Sequence, residues 1–70
     1  MPFVNIKLAR DGATREQKEA LIGGVTRLLQ DVLGKKPQAT LVLIEEVETD
    51  NWGVGGESLT TRRARESGQS

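Results

Sequence analysis

Residues 14–34, TREQKEALIGGVTRLLQDVLG, decide the fold because they predict one long helix in a short chain. Thr14 and Gln17 have the spacing of a capping box, and Glu16 lies in the first turn, where the helix dipole favours an anion. Gly34 is typical of a helix C-terminus, and Pro37 follows it closely. We therefore predict a helix that begins at Thr14 and ends at Gly34. Its apolar residues recur at helical spacing and form one stripe, which comprises Leu21, Ile22, Val25, Leu28, Leu29, Val32 and Leu33.

A strand is predicted on each side of this helix. Residues 3–9, FVNIKLA, alternate so that Val4, Ile6 and Leu8 share one apolar face. Residues 40–47, TLVLIEEV, begin with an apolar run that is typical of a strand covered on both faces. A strand, a helix and a strand in this order predict a right-handed β-α-β unit with parallel strands.

One helix covers only one face of a two-stranded sheet, so the other face needs a second cover. A chain of 70 residues is small, since such domains bury only about 60% of their unfolded surface. Oligomerisation is the remaining way to stabilise so small a domain when disulfides are absent. We therefore predict an α+β fold that is completed by oligomerisation, with a second copy on the open face.

The end of the chain is predicted to contain a hairpin and a tail. The glycine-rich residues 51–59, NWGVGGESL, indicate a tight β-hairpin or a bulged turn. Residues 61–70, TRRARESGQS, are polar and predict a frayed tail. The domain organisation is therefore a single domain over residues 1–60 and a polar C-terminal tail over residues 61–70.

The charge balance limits the classes of partner. Ten acidic and ten basic residues give a formal net charge of zero, which argues against a general nucleic-acid binder. Arg62, Arg63 and Arg65 admit a contact with RNA or phosphate, but the neutral charge of the whole chain favours a solvated tail. No apolar run approaches the roughly 20 residues of a membrane span, and no signal pattern appears at the N-terminus. The protein is expected to be cytoplasmic, with no membrane partner.

The absence of two residue types limits the chemistry. The chain has no cysteine and no histidine, so it lacks a thiolate nucleophile and the commonest general base and metal ligand. An efficient general base has a pKa near the working pH. Only the α-amino group, with an unperturbed pKa of about 7.7–8.0, still meets that condition. If the protein is an acid–base catalyst, Pro2 is its best catalytic group once Met1 is removed, because the new terminus is a rigid secondary amine.

Four features together resemble the 4-oxalocrotonate tautomerase family: the initial Met1-Pro2, the EQK of residues 16–18, the second strand LVLIEEV, and the GVGGE of residues 53–57. The resemblance covers nearly the whole chain. It implies a β-α-β fold with a C-terminal hairpin, assembled as a hexamer of three dimers. It also implies that Pro2 moves a proton between oxygen and carbon of an enol, typically a 2-hydroxy-dienoate or an enolpyruvate.

The resemblance also indicates substrate-binding residues. Trp52 corresponds to the family's aromatic wall, with a core or interface anchor as the equal alternative. The family has one arginine after the first strand, near Gly12 or Ala13 here, and a second in the second strand, where Leu41 stands. Both are missing, and leucine cannot provide the bidentate fork that holds a carboxylate.

Two other arginines are candidates for that task. Arg10 precedes the first missing position and could reach inward from the turn, although an exposed turn arginine is an equal alternative. Arg62 could enter a neighbouring subunit's site from the tail. The dicarboxylate substrate typical of the family is therefore in question, whereas the proline chemistry is not.

Three functions are consistent with these residues. The first is an enol–keto tautomerase that needs no metal or organic cofactor, since the carbonyl of the substrate accepts the electrons. The second is a hydratase or dehalogenase that uses protonated Pro2 and a carboxylate that activates water, for which Glu46, Glu48 and Asp50 are available. The third is a catalytically idle scaffold. A homohexamer is expected, and a heterohexamer with a related chain stays open.

Overall fold

The computed structural model describes residues 1–68, and its elements follow the predicted order. The first half contains β1 (Phe3–Ala9) and α1 (Arg15–Leu33). The second half contains a short 3₁₀ turn and β2 (Leu41–Val47), a second 3₁₀ turn, a hairpin of β3 (Gly53–Val54) and β4 (Glu57–Ser58), and finally α2 (Leu59–Gly68). The β-α-β unit and the C-terminal hairpin are therefore confirmed, and α2 is an addition.

The β1 and β2 strands form a parallel pair. Their register runs from Phe3 opposite Leu41 to Ala9 opposite Val47. The two strands form a sheet of their own, separate from the hairpin. Because the strands are parallel, both begin at the end of the sheet where Pro2 lies and both finish at the end where Arg10 lies.

The α1 helix has the predicted ends. The Thr14 hydroxyl accepts a hydrogen bond from the Gln17 amide at 3.1 Å, and the Gln17 side chain accepts one from the Thr14 amide at 2.9 Å. This is the complete capping box, so the first helical residue is Arg15 and Thr14 is the cap. Gly34 ends the helix in the left-handed conformation, at φ 69°, which glycine adopts without steric cost. No helix within residues 1–68 is long and apolar enough to span a membrane.

The two faces of the β1–β2 sheet differ in their cover. Val4, Ile6 and Leu8 are half-buried, and a Lys18–Glu46 ion pair joins α1 to the same side of the sheet. On the opposite face Phe3, Leu41 and Leu43 are 61%, 48% and 46% exposed. We call the face that carries Phe3, Asn5, Lys7, Leu41, Leu43 and Glu45 the open face.

The protomer alone has no core. No residue in the described part of the chain is fully buried. The accessible surface is 5313 Å², whereas a compact 7.6 kDa monomer exposes about 4,300 Å². The radius of gyration is 16.1 Å, whereas a compact chain of this length has about 11 Å. The described protomer is thus more extended than a compact monomer of its size and leaves apolar side chains exposed.

The hairpin turns through two glycines. Gly53 pairs with Ser58 and Val54 with Glu57 in antiparallel register. Gly55 and Gly56 between them have φ values of 62° and 88°. Positive φ at both central residues is the type I′ hairpin turn, whose twist matches that of the strands. The predicted tight hairpin is thus confirmed.

The prediction of a frayed tail is wrong for residues 61–68, because α2 continues through them. The Ser58 hydroxyl accepts a hydrogen bond from the Thr61 amide at 3.1 Å and caps the helix. Arg65 pairs with Glu57 at 2.6 Å, and Arg63 lies 3.6 Å from Asp11. These polar contacts stabilise α2, although its sequence has no apolar stripe. Residues 69 and 70 lie outside the described residues, and the division at residue 60 stays a prediction.

Candidate active site

Pro2 lies half-buried at the start of β1. Its carbonyl accepts a hydrogen bond from the Leu41 amide at 2.9 Å, which ties the beginning of the chain to the beginning of β2. Met1 is 87% exposed, so its removal deletes little packing. A proline is compatible with this position because the first residue of a strand needs no ladder donor.

Arg10 lies at the opposite end of β1. Its amide donates a hydrogen bond to the Val47 carbonyl at 2.9 Å, and its guanidinium Nε is 2.7 Å from Glu48 Oε1. Both side chains of the pair are more than half exposed. Exposed pairs of this kind contribute about 0–1 kcal/mol, so a substrate carboxylate can compete with Glu48 for Arg10 at small cost.

Trp52 joins the end of β2 to the C-terminal segment. Its indole N–H donates to the Val47 carbonyl at 3.1 Å, and its carbonyl accepts from the Leu59 amide at 2.9 Å. The side chain is half-buried. Within the protomer Trp52 is therefore an anchor, and its role as an aromatic wall stays a prediction that needs a neighbouring subunit.

Arg62 lies on the first turns of α2. It is half-buried and its Nε is 3.0 Å from Glu66 Oε1, one helical turn away. Arg63 and Arg65 also have carboxylate partners, Asp11 and Glu57. Because each of the three arginines is paired with a carboxylate, these residues do not favour a contact with RNA or phosphate. For Arg62 to bind a substrate, its ion pair with Glu66 must first break.

The structure does not bring the predicted site residues together in one protomer. Pro2 lies where the strands begin, whereas Arg10 and Trp52 follow the points where β1 and β2 end. The eight-residue separation of Pro2 and Arg10 corresponds to roughly 26 Å along an extended strand at about 3.3 Å per residue. A site that contains Pro2 and Arg10 therefore needs two copies of the chain.

The acidic residues near the Arg10 end all have partners. Glu46 is paired with Lys18, and the hydrogen bond from Lys18 is the main reason that the pKa of Glu46 is lowered. Glu48 is held by Arg10, and Asp50 accepts a hydrogen bond from the Thr60 hydroxyl at 2.5 Å. A carboxylate with a lowered pKa is a weaker base, so Glu46 is poorly suited to activating water.

Two lysines lie at the Pro2 end, where sequence reasoning treated them only as the end of the helix. Lys35 and Lys36 follow Gly34 directly. The Lys36 carbonyl accepts hydrogen bonds from the Ala39 amide at 3.0 Å and the Thr40 hydroxyl at 2.9 Å. Leu41, which directly follows Thr40, is the residue whose amide donates a hydrogen bond to the Pro2 carbonyl.

A depression with a volume of about 430 Å³ is lined by Ala13, Gln17, Ala20 and Leu21, and Pro2 is not among its lining residues. None of these residues has chemistry that a proton transfer could use. We regard the depression as part of an apolar helix surface that is open in the single protomer.

Comparison with known proteins places these features in a family. The sequence profile of the tautomerase enzyme family matches residues 2–62. The probable tautomerase K2 of Dickeya dadantii is 64% identical over 67 residues, which cover 96% of this chain and 100% of that protein.

Two solved structures have the same fold. The crystal structure of DmpI from Helicobacter pylori has a TM-score of 0.81 at 47% identity, over 86% of this chain and 98% of that one. The crystal structure of TomN, a 4-oxalocrotonate tautomerase homologue in the tomaymycin biosynthetic pathway, has a TM-score of 0.85 at 32% identity, over 90% of this chain and 95% of that one. The matched regions include β1, α1, β2 and the hairpin, and the chain therefore belongs to the 4-oxalocrotonate tautomerase family.

Proposed function

We propose that the protein, after removal of Met1, catalyses enol–keto proton transfer with Pro2 as general base and then general acid. The substrate is a small 2-hydroxy-dienoate or an enolpyruvate-type acid. The observation that carries the proposal is Pro2 itself, half-buried at the start of β1 in a tautomerase-family chain that has no histidine and no cysteine.

The reaction needs one group that accepts and returns a proton. The neutral Pro2 nitrogen takes the proton from the enol oxygen, and the electrons of the O–H bond form the carbonyl. The electrons of the carbon–carbon double bond then take the proton from the Pro2 ammonium at C3, or at C5 in a dienol. Pro2 ends neutral, as it began, and no metal or organic cofactor takes part.

The second copy is proposed to complete the site through the free edge of β1. In the described part of the chain β1 is hydrogen-bonded to β2 alone, so its other edge can pair with a second β1. Antiparallel pairing centred on Ile6 places Pro2 opposite the partner's Arg10, because residue numbers across such a pair sum to twelve. The partner's Trp52, which follows the end of the partner's β2, then borders the space between Pro2 and the partner's Arg10.

We propose that three such dimers form a homohexamer, with the open faces packed together. This arrangement covers Phe3, Leu41 and Leu43, which are exposed in the protomer. Burial of apolar surface at about 25 cal/mol per Å² is the main source of stability for such an assembly. A heterohexamer with a related chain would cover the same surfaces. The mass of the purified assembly distinguishes a homohexamer from a heterohexamer.

The proposed function is tested by following the ultraviolet absorbance of 2-hydroxymuconate and phenylenolpyruvate during conversion to their keto forms. Intact mass first confirms that Met1 is absent. We expect the processed wild type to accelerate at least one conversion and Pro2→Ala to be about 10²-fold slower, since alanine keeps an amine but loses the fixed ring. A processed wild type no faster than Pro2→Ala would contradict the proposal and favour the hydratase, dehalogenase or scaffold alternatives.

Arg10→Ala is expected to raise KM for these acids by about ten-fold or more, because a charge-assisted hydrogen bond to the carboxylate is lost. Arg15→Ala is the matched control, since Arg15 also forms an exposed ion pair, with Glu19, and has no proposed role. Steady-state kinetics on both variants measure the effect. Equal KM values for Arg10→Ala and Arg15→Ala would exclude Arg10 from substrate binding.

A further inference from the structure

We propose that Lys36 is a second cation, in addition to the partner's Arg10, that holds the substrate carboxylate beside Pro2 of its own protomer. The ligand is the carboxylate of a 2-hydroxy or 2-oxo acid. The inference rests on the proposed function and identifies a specificity-determining residue of the same site. Leu41, the residue whose amide is bonded to the Pro2 carbonyl, has no charge to offer a substrate at this position.

The ion pairs of the protomer leave few cations available. All ten lysines and arginines lie within residues 1–68, and seven of them have a carboxylate partner. In the described residues the cations without one are Arg27, Lys35 and Lys36. Arg27 lies in the middle of α1, whereas the two lysines lie at the Pro2 end of the sheet.

Backbone contacts place Lys36 close to Pro2. Lys36 caps the 3₁₀ turn Pro37–Ala39, and its carbonyl is bonded to the Thr40 hydroxyl at 2.9 Å. This bond keeps Lys36 in contact with Thr40. The next residue, Leu41, donates to the Pro2 carbonyl at 2.9 Å. A four-carbon stem extends the ammonium group roughly 6 Å from the backbone, from a turn that directly precedes the residue bonded to Pro2.

Lys35 has a different environment although it is adjacent. Its amide bonds back to the Leu29 carbonyl at 3.4 Å, as part of the C-terminal cap of α1. The last turn of α1 contains no basic residue, so Lys35 provides the positive charge that a helix C-terminus favours. Lys36 lies beyond that cap in extended backbone, and Lys35 is therefore its matched control.

A lysine at this position has two consequences for the reaction. Its ammonium is a compact charge that holds one carboxylate without the planar fork of an arginine, which suits a monocarboxylic enol. Its positive charge also disfavours the protonated form of a nearby amine, so it lowers the pKa of Pro2. Both consequences are absent if Lys36 only caps a turn through its backbone.

The first test compares Lys36→Gln with Lys35→Gln on phenylenolpyruvate and on its methyl ester. We expect Lys36→Gln to raise KM for the acid by about ten-fold or more, to leave KM for the uncharged ester unchanged, and to be rescued by Lys36→Arg. Lys35→Gln should match the wild type on both compounds. Equal KM values for the acid in the two glutamine variants would overturn the proposal.

The second test does not depend on turnover. Protein labelled with ¹⁵N-proline contains one titrating nitrogen, at Pro2, because Pro37 is in an amide bond. We expect the NMR-measured pKa of Pro2 to be higher in Lys36→Gln than in Lys35→Gln. If the wild type is inactive, the proposed function fails while this titration still decides the Lys36 inference: an unchanged Pro2 pKa would contradict it.

Discussion

Blocking the Pro2 nitrogen with two extra residues is expected to lower kcat/KM by about 10²- to 10⁴-fold, the usual contribution of a general acid–base group. An amide nitrogen cannot accept the enol proton at any working pH. Met1 is 87% exposed, so an extension at this point leads into solvent and should leave the fold unchanged. Rates on 2-hydroxymuconate and phenylenolpyruvate measure the loss.

The control for this prediction is the same two residues added after Ser70, where no site residue is proposed. Circular dichroism and sedimentation should give the same result for both extended proteins and for the wild type. The blocked protein tests the amine of Pro2, whereas Pro2→Ala keeps an amine and tests the effect of the proline ring. A blocked protein that retains wild-type kcat/KM would show that the Pro2 amine takes no part in the reaction.

Leu43→Lys is expected to prevent assembly and, with it, folding. Leu43 lies on the open face and is 46% exposed in the protomer, which contains no fully buried residue in its described part. Enclosing an unpaired ammonium at an interface costs several kcal/mol per ion, and the cost recurs in each copy. We expect analytical ultracentrifugation to detect no assembly at micromolar concentration, and circular dichroism to show loss of helix.

Leu43→Met is the matched control, since a volume-conserving apolar exchange costs less than about 1.5 kcal/mol. It should sediment as the wild type does. Dilution of the wild type provides a second check, because dissociation and loss of helix should occur over the same concentration range. A folded monomer, in the wild type or in Leu43→Lys, would contradict the claim that the open face is an interface.

The central fold could be predicted because its signals are local. The capping box at Thr14 and the left-handed Gly34 depend on residues within a few positions, and both appear in the structure as expected. The same holds for the type I′ turn at Gly55 and Gly56. The pattern of apolar residues then predicts the two strands and the order of the elements.

The α2 helix was missed because its stabilising contacts are not periodic. Its sequence has no apolar stripe, and its partners are Asp11 and Glu57, outside the segment itself. Ser58 is a residue type that caps helices, and its hydroxyl accepts a hydrogen bond from the Thr61 amide. A single cap residue with no apolar stripe after it does not by itself predict a helix.

The candidate site could be predicted only in part. Pro2 follows from the residue types that the chain lacks, whereas Pro2 and Arg10 lie at opposite ends of the seven-residue strand β1 and do not meet within one protomer. The pairing of Arg10 with Glu48 depends on the two strand ends lying side by side. Lys36 became a candidate only after seven of the other cations were found in ion pairs.

The central claim, a site that joins Pro2 of one protomer to Arg10 of another, is tested most directly by complementation. A chain with blocked Pro2 and a chain with Arg10→Ala are each impaired, and the two are co-expressed. Random antiparallel pairing leaves about one quarter of all sites with a free Pro2 and an intact Arg10, given isologous two-fold dimers. We predict that the mixed assembly recovers about that fraction of wild-type activity. Mixed assemblies, confirmed by mass, with no activity above the sum of the two separate proteins would contradict the account.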